Sequence, residues 1–263
     1  MNVYIMTDLE GISGIYCREQ ITPDQRRFEE ARRLFTREIN VCAEACKAAG
    51  AEKVIVRDAH GGSYTLLWDQ LSPAVDEAIC GITGDERYMG LEECDAVILL
   101  GYHAMAGTER AILEHTWSST SVQNYWLNGV RIGEVALDAA ILAEYKKPVI
   151  MVSGDDAVCR EAREFLPRVI TAEVKKSAAC FGAQLLAPHL AKKRIEEAVT
   201  AAIAAYRRGE VDWYKVSSPA TLRVEKTERT QLPNPSAKPY MKIIDGRTYE
   251  VVGETVEEAL FRL

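Results

Sequence analysis

Residues 3–11 read Val-Tyr-Ile-Met-Thr-Asp-Leu-Glu-Gly, an apolar run that stops at two carboxylates and a glycine. The apolar part predicts a buried strand, and the polar part predicts a loop at its C-terminal end. A strand that is apolar on both faces is typical of a parallel sheet covered by helices. In open α/β sheets, ligands bind at the carboxyl ends of the strands. This stretch therefore predicts a parallel sheet and the edge at which its chemistry lies.

The same pattern returns three times along the chain. Apolar runs at residues 54–56, 96–100 and 149–152 each end at a polar loop that contains glycine. Between the first two strands a long helix is predicted, with Thr22 as its hydroxyl cap, Pro23 at its first position and Gly50 at its end. A further helix is predicted at about 157–165. The alternation predicts an α/β fold with three Rossmann-like layers and a largely parallel sheet.

Asn-Gly and Asp-Gly pairs predict antiparallel parts. Asn128-Gly129 separates two short apolar segments and predicts an inserted hairpin, followed by a helix that begins at Gly133-Glu134. After residue 166 the pattern changes to a strand, a long Ala-rich helix and a second hairpin at Asp245-Gly246. We therefore expect an α/β domain at residues 1–166 and a smaller α+β domain at residues 167–263.

The composition excludes several classes of protein. The 263 residues are 48% hydrophobic and 27% charged, with a net charge of −7, which disfavours a nucleic-acid surface. The sequence contains no apolar run long enough to span a membrane, and acids stand where a signal peptide would carry basic residues. Its seven cysteines include no C-x-x-C pair. A cytoplasmic protein is expected.

Acidic and imidazole side chains follow three of the predicted strands. Asp8 and Glu10 follow the first strand, His60 the second and His103 the third. If these strands are neighbours, their side chains meet in one cleft. Imidazole nitrogen and carboxylate oxygen are ligands of zinc and similar ions, and a carboxylate can bridge two such ions. A metal site with a pair of ions is therefore predicted.

Each of these residues also has a simpler interpretation. Carboxylates after a strand commonly cap a helix, and a single histidine is more often structural than a ligand. Asp58 either orients His60 or is an ordinary turn residue. The shared position at strand ends favours the metal site.

Five separated motifs, in matching order over residues 3–156, resemble one family, the zinc-dependent D-aminopeptidases associated with dipeptide-transport operons. The motifs are residues 7–14 (Thr-Asp-Leu-Glu-Gly-Ile-Ser-Gly), residues 58–60 (Asp-Ala-His), residues 100–104 (Leu-Gly-Tyr-His-Ala), His115 and Gly133-Glu134.

The resemblance implies a set of roles and an assembly. It implies that Asp8 bridges two zinc ions and that four residues complete their coordination: Glu10, His60, His103 and Glu134. Which of these ligands serves which ion is left open, and other divalent transition metals, such as manganese or cobalt, would accept similar ligands. The resemblance gives His115 the catalytic role. It also implies hydrolysis of short peptides, with D-amino acid N-termini such as D-Ala-D-Ala, inside a ring-shaped, decamer-like homo-oligomer.

In this mechanism a metal-activated water attacks the peptide, and His115 acts as general acid, oxyanion stabiliser or nucleophile. Asp155 or Asp156 either holds the amino group of the substrate or caps a helix. The alternatives are a two-metal phosphoesterase or other amidohydrolase, and a non-catalytic metal-binding assembly protein. A nucleotide site after the first strand is disfavoured because carboxylates crowd the place of the phosphate.

Overall fold

The computed structural model of the chain describes residues 1–84, 86–229, 232–234 and 238–263. Within these ranges the strands are β1 (Asn2–Thr7), β2 (Lys53–Asp58), β3 (Glu77–Ile79), β4 (Ala96–Tyr102), β5 (Val122–Leu127), β6 (Val130–Ile132), β7 (Val149–Asp155), β8 (Ile170–Ala179), β9 (Gly182–Leu185), β10 (Ala220–Lys226), β11 (Met241–Ile243) and β12 (Thr248–Gly253). The α-helices in the same ranges are α1 (Arg18–Ile21), α2 (Arg26–Ala48), α3 (Glu134–Glu144), α4 (Asp156–Phe165), α5 (Pro188–Arg207) and α6 (Val256–Phe261).

The larger sheet carries the predicted apolar runs. Among the described residues it has seven strands, in the order β3-β2-β1-β4-β7-β8-β9. Its neighbours pair in parallel except for β9, which is antiparallel to β8. Every residue of β4 and of β7 is buried, as expected where helices cover both faces of a sheet. The largely parallel sheet predicted from the sequence is confirmed.

The side chains of β1 show how the layers form. Val3 and Ile5 pack into one core with residues of α2 and α5. Tyr4 and Met6 pack into a second core with residues of α3, α4 and the smaller sheet. Because successive residues of a strand point to opposite faces, an unbroken apolar run serves both cores. The three-layer prediction is confirmed.

The smaller sheet is antiparallel, with the order β11-β12-β10-β5-β6 in the described part of the chain. Asn128 and Gly129 join β5 to β6 with φ of +47° and +85°, so the predicted hairpin is confirmed. This hairpin pairs with β10, whereas β8 and β9 belong to the larger sheet. Strands from both sides of residue 166 therefore meet in each sheet, and the division at that residue stays a prediction.

The predicted start of the first long helix is wrong. Thr22 ends the short helix α1, where its hydroxyl donates to the carbonyl of Arg18, and α2 begins four residues later, at Arg26. Asp24 has a φ of +66°, which turns the chain between the two helices. The capping pattern at Thr22 is thus a helix end. No helix in the described ranges is both long enough and apolar enough to cross a membrane.

Candidate metal centre

The loops after β1, β2 and β4 begin side by side. Thr7, the last residue of β1, pairs with Asp58 on one side and with Leu100 on the other. The Asp8 N–H then donates to the carbonyl of Leu100 over 2.9 Å, which extends the pairing into the loop. The edge of the sheet that the apolar runs indicated is therefore where three loops with polar side chains meet.

Glycines let the loops after β1 and β4 touch, backbone to backbone. The N–H of Gly11 donates to the carbonyl of Gly101 over 2.7 Å. A Cβ at Gly11 would lie 2.0 Å from the carbonyl oxygen of Tyr102, and one at Gly101 would lie 2.4 Å from that of Asp8. Gly101 also has a φ of +71°, which only glycine adopts without strain. A larger residue at either position would push the two loops apart.

The carboxylate of Asp8 lies between two histidines. Its Oδ1 is 3.1 Å from Nδ1 of His60, and its Oδ2 is 3.2 Å from Nε2 of His103. Glu10 Oε2 is also 3.1 Å from His60 Nδ1, and Glu134 Oε1 is 3.4 Å from His103 Nε2. All five residues for which a ligand role was expected therefore come together, with Glu10 and His60 on one side of Asp8 and His103 and Glu134 on the other.

Glu134 comes to the cluster from a helix and not from a strand end. It is the first residue of α3, directly after the hairpin, and its Oε1 accepts the backbone N–H of Trp117 over 2.7 Å. His115 lies beside it, with Nε2 3.9 Å from the same oxygen. The His115 ring stacks on that of His103, with centroids 3.9 Å apart. His115 is therefore near enough to Glu134 and His103 to share a small ligand with them.

The donor atoms fit a bound cation. Among the described residues, Asp8 Oδ2 and His103 Nε2 are buried and have no hydrogen-bond partner. Two ligands that bind one tetrahedral zinc ion at 2.0–2.2 Å lie about 3.3 Å apart, close to the separations observed around Asp8. Two groups have all their ligand atoms within 4.8 Å of one another: Asp8, Glu10 and His103, and also His103, His115 and Glu134.

The carboxylates of Asp8 and Glu134 are held in their ionised form. Burial raises the pKa of Asp8, but the adjacent imidazoles of His103 and His60 bring that pKa well below its ordinary value. Burial also opposes the ionisation of Glu134, but the charges of His103 and His115 lower its pKa to about 2. Ionised carboxylates are the form that binds a cation.

The imidazoles show the complementary effect. Burial lowers the pKa of His103, but the charges of Glu134 and Asp8 outweigh it and raise the pKa well above its ordinary value. His60 behaves in the same way, because Glu10 and Asp8 face it. The cluster therefore has an excess of negative charge, which a proton or a metal ion neutralises.

Backbone carbonyls fix which ring nitrogen of two histidines faces the cluster. His103 Nδ1 lies 3.0 Å from the carbonyl oxygen of Ala104, and His115 Nδ1 lies 2.8 Å from that of Leu113. Because a carbonyl only accepts hydrogen bonds, Nδ1 carries the proton in each ring. Nε2 of a neutral ring is then left to bind a metal ion or to exchange a proton with a substrate.

Three carboxylates near the strand ends serve the backbone. Asp155 caps α4 by accepting the N–H of Val158, and Asp156 accepts a backbone N–H and pairs with Arg160. Neither is among the described residues that line the cleft. Asp155 caps a helix, whereas the N–H that Asp156 accepts belongs to Ser177 on β8. Asp58 accepts three backbone N–H groups, including that of His60 over 3.2 Å, and so fixes the loop that carries His60.

Two basic residues at the site had escaped the sequence analysis. Lys175, on β8, is buried, and its ammonium group donates to three carbonyls of the loop after β1. Arg87 lies in a loop, pairs with Asp138 on α3 and places its guanidinium 4.8 Å from the centre of the Trp117 ring. No motif or spacing marks either residue, because the contacts join parts of the chain that are far apart in sequence.

The cluster opens into a cleft of about 420 Å³. Asp8, Glu10 and Glu134 make one part of its lining acidic. The rest of the wall includes aromatic, hydroxyl and basic side chains: Phe28, Tyr64, Trp117, Ser118, Arg18 and Arg87. The cleft can therefore hold a ligand with apolar and charged parts beside the donor cluster.

Comparison with known proteins extends the resemblance to the whole chain. A family model described as D-aminopeptidase matches residues 1–263. A curated D-aminopeptidase of Bacillus subtilis (strain 168) is 31% identical over 198 residues, which are 75% of this chain and 72% of that protein. A solved structure, the Zn-dependent D-aminopeptidase DppA from Bacillus subtilis, a self-compartmentalizing protease, superposes with a TM-score of 0.93 at 27% identity and covers 100% of this chain and 95% of that one.

The fold, the donor cluster and these relatives together define a metallo-aminopeptidase. Within that class, the chain belongs to the D-aminopeptidase family.

Proposed function

We propose that this enzyme is a di-zinc aminopeptidase that hydrolyses short peptides with D-amino acid N-termini, such as D-Ala-D-Ala. The observation that carries the proposal is the position of Asp8, whose two oxygens face different imidazoles at 3.1 and 3.2 Å. A carboxylate in this position suits the bridge between two ions. The solved relative is a Zn-dependent enzyme, which supports zinc as the metal.

The distances support one assignment of the ligands. Glu10 and His60 would hold one ion, His103 and Glu134 would hold the other, and Asp8 would bridge the two. When bound, the ions would polarise the scissile carbonyl group and make a water molecule more acidic. An aminopeptidase also has to bring the free amino end of its substrate to this point, and the acidic lining of the cleft suits that positive group.

His115 is proposed as the residue that moves a proton during the reaction. Its Nδ1 is held by the carbonyl of Leu113, and its Nε2 lies on the cluster side, 3.9 Å from Glu134 Oε1. An imidazole changes its charge near neutral pH, so it can protonate the leaving amine and then release the proton. The stacking on His103 keeps the ring in this orientation.

We further infer that the chain assembles into a ring-shaped, decamer-like homo-oligomer that admits only short peptides. The solved relative is a self-compartmentalizing protease, and it superposes on the whole of this chain with a TM-score of 0.93. This similarity supports the proposed assembly.

The test of this function is a set of parallel assays on the purified protein. D-Ala-D-Ala, L-Ala-L-Ala and a phosphate ester are offered to the enzyme before chelation, after chelation and after zinc is restored. We expect zinc-dependent release of D-alanine. Turnover of the phosphate ester instead of the peptides would favour the phosphoesterase, and peptide hydrolysis that survives removal of the metal would contradict the proposal.

A matched pair of variants locates the activity. Asp8→Asn should lower peptide hydrolysis by at least about a hundredfold and should reduce the zinc content, because an amide does not bridge cations as a carboxylate does. Asp69→Asn, at an exposed acid outside the described lining of the cleft, should leave both unchanged. Equal activity in the two variants would remove Asp8 from the site.

A further inference from the structure

A second cavity, of about 190 Å³, adjoins the cleft of the metal centre. The two spaces share four lining residues: Ala59, Gly61, Arg87 and Trp117. We call it the arginine cavity, after Arg57 and Arg87 in its wall. None of the proposed metal ligands is among the described residues that line the arginine cavity.

Arg57 is a buried cation to which the described part of the chain offers no ion-pair partner. Only 6% of the residue is exposed, and among the described residues its Nε and Nη1 have no hydrogen-bond partner. The described part of the chain also offers it no carboxylate within 4.0 Å. The neighbouring Asp58 uses its oxygens for backbone N–H groups. Burial, joined by the charge of Arg87, lowers the pKa of Arg57, as expected for an uncompensated charge.

Arg87 differs because its charge is compensated. Its Nε and Nη2 both donate to the carboxylate of Asp138 over 3.2 Å. Asp138 also accepts the hydroxyl groups of Tyr88 and Tyr102, over 2.6 and 2.7 Å. Both oxygens of Asp138 therefore accept hydrogen bonds. Among the described lining residues, Arg57 is therefore the cation that lacks a carboxylate partner, and an unpaired buried charge is costly unless an anion joins it.

The rest of the lining suggests the kind of anion. Ser63 and Thr83 offer hydroxyl groups, while Ile82, Leu260 and Phe261 make the remaining wall apolar. The volume is below the usual range for drug-sized ligands, so the occupant is small. A guanidinium group matches a carboxylate in geometry, and a single unpaired positive charge suits a monoanion better than a phosphate dianion.

We propose that Arg57 and Arg87 form a binding site for the carboxylate group of a small, amino-acid-like molecule in the arginine cavity. Two sources share this chemistry. One is the C-terminal carboxylate of a short peptide whose scissile bond lies at the metal centre, a possibility that rests on the proposed function. The other is a free amino acid of the kind that hydrolysis releases.

The first experiment measures binding to the full-length protein by calorimetry. Propionate and D-alanine are the carboxylate probes, and propionamide is the neutral control. The titrations are repeated in Asp8→Asn, so that binding at the metal centre is not mistaken for binding at Arg57. Saturable binding of the carboxylates, but not of propionamide, is expected in both proteins. Failure of both carboxylates to bind would overturn the inference, whether or not the enzyme hydrolyses peptides.

Variants then place the binding in the arginine cavity. Arg57→Gln should weaken carboxylate binding by about tenfold or more, as the loss of a charge-assisted pair implies. Because this buried change could affect folding, Ile82 provides a second test, since it is 86% exposed at the rim. Ile82→Glu should weaken binding severalfold by repulsion, whereas Ile82→Gln should not. Equal affinities in this matched pair would overturn the inference.

Kinetics separate the two sources. If the carboxylate belongs to the substrate, Ile82→Glu raises KM for D-Ala-D-Ala but not for its C-terminal amide, and Ile82→Gln changes neither. If it belongs to a free amino acid, the two KM values keep their ratio, and inhibition by D-alanine weakens in Ile82→Glu. If neither quantity changes, the cavity takes no carboxylate and the inference is wrong. An enzyme that cleaves no peptide would contradict the proposed function alone, because the binding measurements do not depend on it.

Discussion

The proposed centre depends on Asp8, because its two carboxylate oxygens lie beside two different imidazoles, those of His60 and His103. Glu10 has one such short contact, with His60 at 3.1 Å, and the shortest contact of Glu134 is with His103 at 3.4 Å. His115 stands outside this set of short contacts, 3.9 Å from Glu134. The proposed difference in role, ligand for four of the five neighbours and proton transfer for His115, follows from that difference in distance.

Replacing His115 tests the division. His115→Ala should lower the rate of peptide hydrolysis by about a hundredfold or more, the usual scale for removal of a general acid, and should leave the zinc content unchanged. Rate assays and elemental analysis of the same sample measure the two effects. Full activity would remove His115 from the mechanism. Loss of zinc would make it a ligand, which its closeness to His103 and Glu134 also allows.

Glu161 makes the stability of the fold depend on pH, with a definite sign. Burial raises the pKa of Glu161 to about 7, although its Oε2 accepts the N–H of Met105. The unfolded chain has the ordinary value of 4.5. Glu161 therefore contributes stability below pH 4.5, and this contribution is lost as the pH rises through about 7. Over that window the loss is about 3 kcal/mol, since one pKa unit corresponds to about 1.4 kcal/mol.

Denaturation of the wild type and of Glu161→Gln at pH 5 and pH 8 tests this assignment. A glutamine stays neutral at both values and can still accept the N–H of Met105. The free energy of unfolding of the variant, relative to wild type, should be about 2 kcal/mol larger at pH 8 than at pH 5, so the variant gains relative stability at the higher pH. A difference that does not change with pH would show that Glu161 ionises normally.

At the scale of elements, Lys175 ties the loop after β1 to strand β8. Its Nζ donates to the carbonyls of Glu10, Ile12 and Ile15 over 2.5, 2.9 and 2.7 Å. Burial lowers its pKa to about 8, against the pull of nearby carboxylates. A buried ammonium group that holds three carbonyls fixes the loop that also carries Asp8.

Lys175→Met should therefore destabilise the protein by about 3–5 kcal/mol, because it leaves three buried carbonyls without a donor. Lys176→Met is the control, since this neighbour is exposed and should change stability by less than about 0.5 kcal/mol. Chemical denaturation measures both, and elemental analysis should show weaker zinc retention in Lys175→Met. Equal stabilities would mean that water replaces the ammonium group.

The elements also show what the sequence could predict. The strands that end at Thr7, Asp58 and Tyr102 were found from apolar runs, since most residues of a strand buried on both faces are apolar. Glu134 could be reached only through the family resemblance, because an acid in the first turn of a helix is ordinary. Lys175 and Arg57 gave no signal, because burial of a cation depends on contacts that no local pattern records.

At the scale of the whole molecule, the chain alternates between the two sheets. After β4 the chain leaves the larger sheet and forms the hairpin β5–β6, which pairs with β10 in the smaller sheet. The chain then returns to the larger sheet to form β7 and β8. This route places Glu134, at the start of α3, 3.4 Å from His103. The start of the first long helix was mispredicted because Thr22 and Pro23 belong to a turn between two helices. The same turn lines the cleft.

The proposed assembly is tested by mass. Light scattering or native mass spectrometry should give a particle of roughly ten times the 29.3 kDa of one chain, because closed symmetric rings are a common form of homo-oligomer. The same particle should persist in Asp8→Asn, since this residue lies inside the subunit. A monomer at micromolar concentration would contradict the compartment and leave the proposed chemistry untouched.

The arrangement of two ions around Asp8 is tested most directly by anomalous diffraction at the zinc absorption edge, on crystals of the purified enzyme. Two peaks are expected, one beside Glu10 and His60 and one beside His103 and Glu134, with Asp8 in contact with both. A single peak, or peaks that do not touch Asp8, would contradict the di-metal centre.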